Sequence, residues 1–412
     1  MDVLLTKKGS VSNAHINIGG SKSESNRLLI LQKLFGDIQV QNLSSSLDTL
    51  LLQKALSSNQ NHIDIHHAGT AMRFLTAFFA CQPDREVILT GSTRMKERPI
   101  KILVDALKML GANIEYIENE GFPPLKISGK KLTQNSVTID AGVSSQYITA
   151  LLLIAPKLEN GLEITLTGNK TSFPYLQMTL NLLIEIGVEV QFSDTNIKVK
   201  PFQGKLKQHI FTVESDWSSA SYFYESCAFS SIGTTLKLSS FSQNSKQGDA
   251  ALPELFKYFG VKTTYQNNLL ILEKTDDSYP KRLQLNLQDT PDLAQTLTVC
   301  CFGLNIPCEF TGLHTLKIKE TDRLQALKNE ISKLGGNCEI TDDSFRLNSV
   351  EKYLQKEPIS IETYNDHRMA MAFAPLAFLF PIKIKNIEVV EKSYPQYWQD
   401  LQQLGIHFKE DF

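Results

Sequence analysis

Cations placed at short turns, with a few carboxylates among them, are the residues of this 412-residue chain that are spaced for chemistry. Ser21-Lys22-Ser23-Glu24-Ser25-Asn26-Arg27 follows Gly19-Gly20 and gathers Lys22, Arg27 and three serine hydroxyls. Ala14, Ile16 and Ile18 alternate with polar residues before it, as in a strand. Leu28, Leu31, Leu34 and Phe35 recur at helical spacing after it. A strand–turn–helix join aims backbone N–H groups and the positive end of the helix dipole at one point, so a phosphate or carboxylate is the natural guest. A capped helix with solvated charges is the competing reading of this stretch alone. The earlier glycine of G-x-x-x-x-G-K-[ST] is absent, so it is not a P-loop.

The same arrangement returns along the chain. In His67-Ala68-Gly69-Thr70-Ala71-Met72-Arg73, Gly69 lets a ligand approach the backbone, and a tight turn with a satisfied surface arginine is the plainer alternative. Arg94-Met95-Lys96-Glu97-Arg98-Pro99 sets three cations between a strand and a helix. Val143-Ser144-Ser145-Gln146-Tyr147 and Ser172-Phe173-Pro174-Tyr175 each open a helix, either as ordinary N-caps or as groups that recognise hydroxyls and phosphate. Asp292, in Thr290-Pro291-Asp292-Leu293, is expected to be a helix N-cap. Lys317-Ile318-Lys319-Glu320-Thr321-Asp322-Arg323 crowds both signs of charge at one strand–helix junction, which makes most sense around a charged ligand. Tyr364-Asn365-Asp366-His367-Arg368 puts Arg368 at a helix start, with His367 read as a structural hydrogen-bonder, and Lys392 follows later. Lys22, Arg27, Arg98, Lys319, Arg323, Arg368 and Lys392 thus stand out in a chain of net charge −2. A focused basic cleft between two domains, holding two polyanionic small molecules side by side, is the simplest arrangement.

The elements that position these residues repeat. A helix ending in Leu, Ile or Phe, then Gly, then a short strand recurs with glycines at Gly111, Gly187, Gly260, Gly335 and Gly405, at intervals of 76, 73, 75 and 70 residues. Each glycine suits a left-handed helix C-cap. A sixth, degenerate copy is expected near Leu50 to Leu56, where Ser57-Ser58-Asn59-Gln60 replaces the glycine. Units this long hold two helices and several strands, so two α/β domains of three units each are predicted. With the polar turn at 213–219 near mid-chain, the chain is expected to cross between domains near 17–20 and 213–217.

Composition bounds the rest. Apolar content of 42%, charged content of 21% and the near-neutral net charge are those of an ordinary globular protein and point to neither nucleic acid nor membrane as partner. The N-terminus shows no apolar leader, and the six cysteines form no CxxC, so reduced thiols in a cytoplasm are expected. No metal-ligand spacing, dinucleotide fingerprint or nucleophile elbow is present.

Together the motifs closely resemble those of the EPSP synthases. S-K-S-x-S-N-R, A-G-T-A-M-R, R-M-K-E-R-P, S-S-Q, K-E-T-D-R and N-D-H-R-M-A-M occur in that family's order over nearly the whole chain. The resemblance implies a two-domain enolpyruvyl transferase fold with three βαβαββ units per domain and the active site in the interdomain cleft. One domain would comprise 1–18 plus 216–412 and carry both termini, with 19–215 inserted as the second. It implies transfer of the enolpyruvyl group of phosphoenolpyruvate to the 5-hydroxyl of shikimate 3-phosphate, with release of phosphate, by a monomer without metal or cofactor. Lys22, Ser23, Arg27, Ser144, Ser145, Gln146, Ser172, Tyr175, Asp292 and Lys319 would hold shikimate 3-phosphate. Lys22, Gly69, Arg98, Gln146, Arg323, Arg368 and Lys392 would hold phosphoenolpyruvate. Asp292, Glu320 and Lys22 would be catalytic, with Asp292 the base for the 5-hydroxyl and Glu320 the acid at the phosphoenolpyruvate methylene. The chain departs from the family pattern at Gly19, His67 and Phe74, where Pro, Asn and Pro are usual. The related transferases that act on UDP-N-acetylglucosamine carry a reactive Cys ahead of their R-P; Gly91-Ser92-Thr93-Arg94-Met95-Lys96-Glu97 has none.

Overall fold

Residues 283–350 show the repeating scheme in full. Strand Leu283–Asn286 leads through helix Ala294–Gly303 to strand Cys308–Thr311, then through helix Arg323–Lys333 into the strands Gly336–Ile340 and Phe345–Val350. The first two strands pair in parallel, and Phe345–Val350 adds antiparallel between the second strand and Gly336–Ile340. The helix-to-hairpin turn is made at the repeat glycine. Gly111, Gly187, Gly260, Gly335 and Gly405 all have positive φ (102°, 106°, 69°, 94° and 82°), a region closed to most side chains by Cβ sterics.

This computed structural model describes residues 1–9, 13–142, 144–168, 171–350 and 357–410. The chain divides into two units, Gly20–Val213 and Met1–Gly19 with Glu214–Phe412. In Gly20–Val213, strands from His62–Asp64 to Leu125–Ser128 and from Ser136–Asp140 to Asn196–Val199 form two four-stranded sheets of the same order. The third repeat is incomplete: Gln39–Gln41 pairs in parallel with Ile210–Thr212 alone. Its second helix, Leu47–Ser57, runs out at Ser58 in extended backbone (φ −77°, ψ 136°), so the degenerate sixth copy is a repeat without its hairpin. Among the described residues the other unit has three four-stranded sheets, two of them completed by the N-terminal segment. Asn13–Ile16 pairs in parallel with Thr235–Ser239, and Val3–Lys7 lies between Ile382–Ile384 and Ile406–Glu410. The helix expected ahead of Gly260 is a single turn, Leu252–Leu255 with Pro253 at its start, followed by the tighter coil Phe256–Phe259.

Each unit packs three helices that are buried nearly all round. In Gly20–Val213 they are Lys22–Phe35, Gly69–Ala80 and Ser145–Ile154. In the other unit they are Trp217–Ala228, Ala294–Gly303 and His367–Phe373. Gly69–Ala80 buries every residue except Thr70, and Ser145–Ile154 is apolar beyond its first turn apart from the buried Thr149. A helix without a polar stripe must go to the core, and its N-terminal end is where it offers unpaired backbone N–H groups. Those ends carry the residues singled out by spacing. Among the described residues no helix is long and apolar enough to cross a membrane.

Candidate active site

In the unit containing 214–412, Asp292 lies in the short turn Pro291–Leu293 that enters Ala294–Gly303. It is not the N-cap expected: Thr290 occupies that position in the turn and Leu293 in the helix that follows. It takes instead a hydrogen bond from Arg323 Nη1 at 3.0 Å and one from Arg368 Nη2 at 2.9 Å, with Lys319 Nζ at 3.8 Å. Arg323, only 2% exposed, donates from Nη2 to Glu320 at 2.8 Å and from Nε to Asp366 at 2.7 Å. Glu320 also accepts from Lys392 Nζ at 2.6 Å. Asp366 caps the helix His367–Phe373 by accepting from the Arg368 N–H at 2.9 Å, so one carboxylate fixes both arginines. Burial alone would push the Asp292 carboxyl up; Arg368, Lys319 and Arg323 overrule it and hold it well below the ordinary carboxylate range. Burial likewise works against the Arg323 charge, but Asp366, Glu320 and Asp292 keep its pKa above the usual value. Of the other charges in this junction, Asp322 caps Arg323–Lys333 through the Gln325 N–H at 3.1 Å, and Lys317 pairs with exposed Asp342.

In Gly20–Val213, Ser21 caps the helix that Lys22 opens. Lys22 Nζ is 3.6 Å from buried Asp48. Arg27 is buried one turn on and donates to Thr179 Oγ1 at 2.8 Å, the Ser23 carbonyl at 2.6 Å and the Tyr175 carbonyl at 3.0 Å. Its guanidinium lies 5.7 Å from the Phe74 ring centre and 6.0 Å from that of Tyr175. Phe74, one of the three departures from the family pattern, is therefore a wall of the Arg27 pocket. Burial lowers the Arg27 pKa to about 10, with Tyr175 and Glu24 acting in the opposite sense.

Gly69 and Arg98 are brought together: a Cβ added to Gly69 would lie 2.5 Å from Arg98 Nη1. Of the three cations in this segment only Arg98 is buried. Arg94 pairs with Glu97 at 3.0 Å and Lys96 with Glu118 at 2.6 Å on the surface. Arg73 is not the surface arginine of the plainer reading. It is 4% exposed and donates to the Gly69 carbonyl at 3.1 Å and the Pro99 carbonyl at 2.9 Å. Tyr147 donates to the same Pro99 carbonyl at 2.6 Å, so the backbone next to Arg98 is braced from two sides. His67 meets Ser92 Oγ at 2.7 Å.

Ser144 caps Ser145–Ile154 through the Gln146 N–H at 3.3 Å, and Gln146 Nε2 reaches Thr70 Oγ1 at 3.4 Å. Ser172 precedes Phe173–Ile186 without a side-chain capping bond, in the left-handed region at φ 53°, ψ 38°. A non-glycine residue held there stores strain of order 1–3 kcal/mol, a condition concentrated at functional sites. Arg73, Thr179 and Asp366 are the supporting residues that spacing did not pick out; Arg73 and Asp366 stand inside the motifs that were read, whereas Thr179 carries no sequence signal.

The fold is that of the enolpyruvyl transferases. The chain superposes on an EPSP synthase of Acinetobacter baumannii with a TM-score of 0.77 at 21% identity, covering 100% of both chains. The enolpyruvyl transferase NikO of Streptomyces tendae gives 0.72 at 12% identity, covering 100% of this chain and 99% of that one. These two likenesses speak for the fold. The sequence narrows it: residues 52–401 match the family described as EPSP synthase (3-phosphoshikimate 1-carboxyvinyltransferase). A 3-phosphoshikimate 1-carboxyvinyltransferase of Bacteroides fragilis is 48% identical over 399 residues, 96% of each chain. One of Histophilus somni is 35% identical over 438 residues, 98% of this chain and 99% of that one. The chain belongs to the EPSP synthase family.

Proposed function

We infer that the chain transfers the enolpyruvyl group of phosphoenolpyruvate to the 5-hydroxyl of shikimate 3-phosphate, giving 5-enolpyruvylshikimate 3-phosphate and phosphate, a step in the shikimate pathway to aromatic amino acids. The observation that carries this reading is the cluster of Asp292, Glu320, Arg323, Arg368 and Lys392, in which each carboxylate is held against two or more cations.

The chemistry asks for an acid, a base and countercharge. Protonating the phosphoenolpyruvate methylene gives an oxocarbenium-like carbon, which the 5-hydroxyl oxygen attacks as it loses its proton. Removing a proton from the new methyl group then expels phosphate and restores the double bond. Glu320 is the acid and later the base at that carbon, and Asp292 takes the hydroxyl proton. Arg323, Arg368 and Lys392, with Lys22, Gly69, Arg98 and Gln146, receive phosphoenolpyruvate. Lys22, Ser23, Arg27, Ser144, Ser145, Gln146, Ser172, Tyr175 and Lys319 receive shikimate 3-phosphate, with Asp292 accepting from its hydroxyls. Arg323, Arg368 and Lys392 are paired with the protein's own Asp292 and Glu320. An incoming anion competes for Arg323 and Arg368, and Asp292 gains basicity as its countercharge is drawn away. The strained Ser172 and the braced backbone next to Arg98 support a pre-organised anion site.

The protein acts as a monomer in the cytoplasm and binds no nucleic acid. Phosphate release from phosphoenolpyruvate plus shikimate 3-phosphate, and none with UDP-N-acetylglucosamine as acceptor, is the expected assay result. The reverse preference would overturn the assignment.

A further inference from the structure

Asp249 lies outside the machinery described above but is connected to it. It sits in the turn Gly248–Ala251 and is 2% exposed. One carboxylate oxygen, Oδ2, accepts from the Ser218 hydroxyl, and the other, Oδ1, is buried without a hydrogen-bond partner. Ser218 Oγ in turn accepts from Arg368 Nη2 at 3.3 Å, the same nitrogen that donates to Asp292 at 2.9 Å. A relay therefore runs from Asp249 through one hydroxyl to the guanidinium. Its polarity is consistent throughout: Ser218 gives its only proton to Asp249, which leaves its lone pairs to Arg368.

We propose that Asp249 is a positioning residue for the reaction, acting through the Ser218 hydroxyl to set how the Arg368 guanidinium meets its anionic ligand. This rests on the reading of Arg368 as a phosphoenolpyruvate cation. Charge gives the relay a second effect. Lys319, Arg323, Arg368 and Lys392 face Asp292, Glu320 and Asp366, an excess of one positive charge that an ionised Asp249 would cancel. The groups around Asp249 come from several elements: Asp216 at the cap of Trp217–Ala228, Asp292 from Pro291–Leu293 and Arg368 from His367–Phe373. Glu214 is turned to Gln247, and Glu254 on the next helix is exposed and paired with Lys257. Burial first, then Asp292, pushes the Asp249 carboxyl up to about 7, against the pull of Arg368. Near neutrality the cluster thus gains or loses its positive excess, and an anion binds better while Asp249 keeps its proton.

Asp249→Asn keeps an acceptor for Ser218 and abolishes the charge change; Ser218→Ala cuts the relay. The KM for phosphoenolpyruvate is measured for both variants and the wild-type protein between pH 6 and pH 8.5. The ratio of wild-type KM to that of Asp249→Asn should stay near unity at pH 6 and climb through pH 7 to as much as about tenfold, the equivalent of one pKa unit. Ser218→Ala should raise KM at pH 6 by roughly tenfold, the scale of a hydrogen bond to a charged group, with kcat falling by less than about threefold. A ratio that is flat with pH, or a wild-type KM in Ser218→Ala, overturns the proposal. Absence of wild-type turnover would count against the enzymatic reading instead. Calorimetric titration of inorganic phosphate into wild-type and Asp249→Asn protein at pH 6 and pH 8.5 would then decide Asp249: a pH-dependent difference supports the proposal, and none overturns it.

Discussion

Arg323 and Asp292 meet at 3.0 Å while the remaining nitrogens of the same guanidinium bond Glu320 and Asp366, so a single buried arginine ties three carboxylates together. Removing one charge from such a cluster changes catalysis and anion affinity in different directions.

Asp292→Asn removes a carboxylate from between Arg323, Arg368 and Lys319 and leaves the cations in excess. Turnover should fall by roughly a hundredfold or more, the scale of losing a positioned base. Shikimate 3-phosphate binding should stay within about tenfold, roughly 1.4 kcal/mol, and phosphoenolpyruvate affinity should not fall. Steady-state kinetics with calorimetric binding separates the two effects. Near-wild-type turnover would leave Glu320 as the sole carboxylate with a chemical role.

Asp249 makes a prediction about stability as well as about KM. Its folded-state pKa of about 7 lies above an unfolded value near 3.9. Between these values the folded chain keeps a proton that the unfolded chain has lost, so stability declines as pH rises through this window and levels off above it. The whole effect is at most about 4 kcal/mol, from three units at about 1.4 kcal/mol each. Urea unfolding midpoints at pH 4.5 and pH 7.5 should therefore drop more in wild-type protein than in Asp249→Asn. Equal drops would mean that Asp249 ionises normally in the folded chain.

Gly69→Ala places a methyl group 2.5 Å from Arg98 Nη1, too close for the guanidinium to stay where it is. The group displaced is the end of a flexible side chain, and alanine suits a helix start better than glycine does. The fold should therefore survive with an unchanged unfolding midpoint. The cost should appear as a KM for phosphoenolpyruvate raised by roughly tenfold, as expected for losing a hydrogen bond to a charged group. An unchanged KM would separate Arg98 from phosphoenolpyruvate binding.

Phe74→Leu keeps an apolar side chain but takes away the ring beside Arg27. A cation–π contact of about 0.5–1 kcal/mol corresponds to a two- to fivefold weaker hold on shikimate 3-phosphate. The variant's Kd for shikimate 3-phosphate, read against its KM for phosphoenolpyruvate, tests whether the loss is confined to one substrate.

The repeat was legible because each full copy carries a glycine at a position with φ above zero, where other residues are penalised. Its incomplete copy could be seen only as a missing glycine, since the pairing of Gln39–Gln41 with Ile210–Thr212 joins strands some 170 residues apart. The N-cap reading of Asp292 fails for the same reason. Thr-Pro-Asp-Leu is a sound local signal for a cap, but Arg323 and Arg368 come from 31 and 76 residues away and outweigh it. Arg73 looked like a surface residue because spacing does not show that the Gly69 and Pro99 carbonyls converge on its side chain. Asp249 gave no signal at all: its partners lie on other elements, and no spacing announces them.

The strand Val3–Lys7 is an inner strand of a sheet whose other members lie between Ser360 and Glu410. A ribosome makes that strand well before any of its neighbours. While residues 8–359 are being made, Val3 and Leu5, both buried in the finished sheet, have no partner strand to pair with. The segment Gly20–Val213, whose sheets draw only on strands within that range, emerges complete while those residues still wait. Maturation of the nascent chain is therefore expected to proceed from the inserted segment outward, with Val3–Lys7 among the last segments to be shielded from chaperones and proteases.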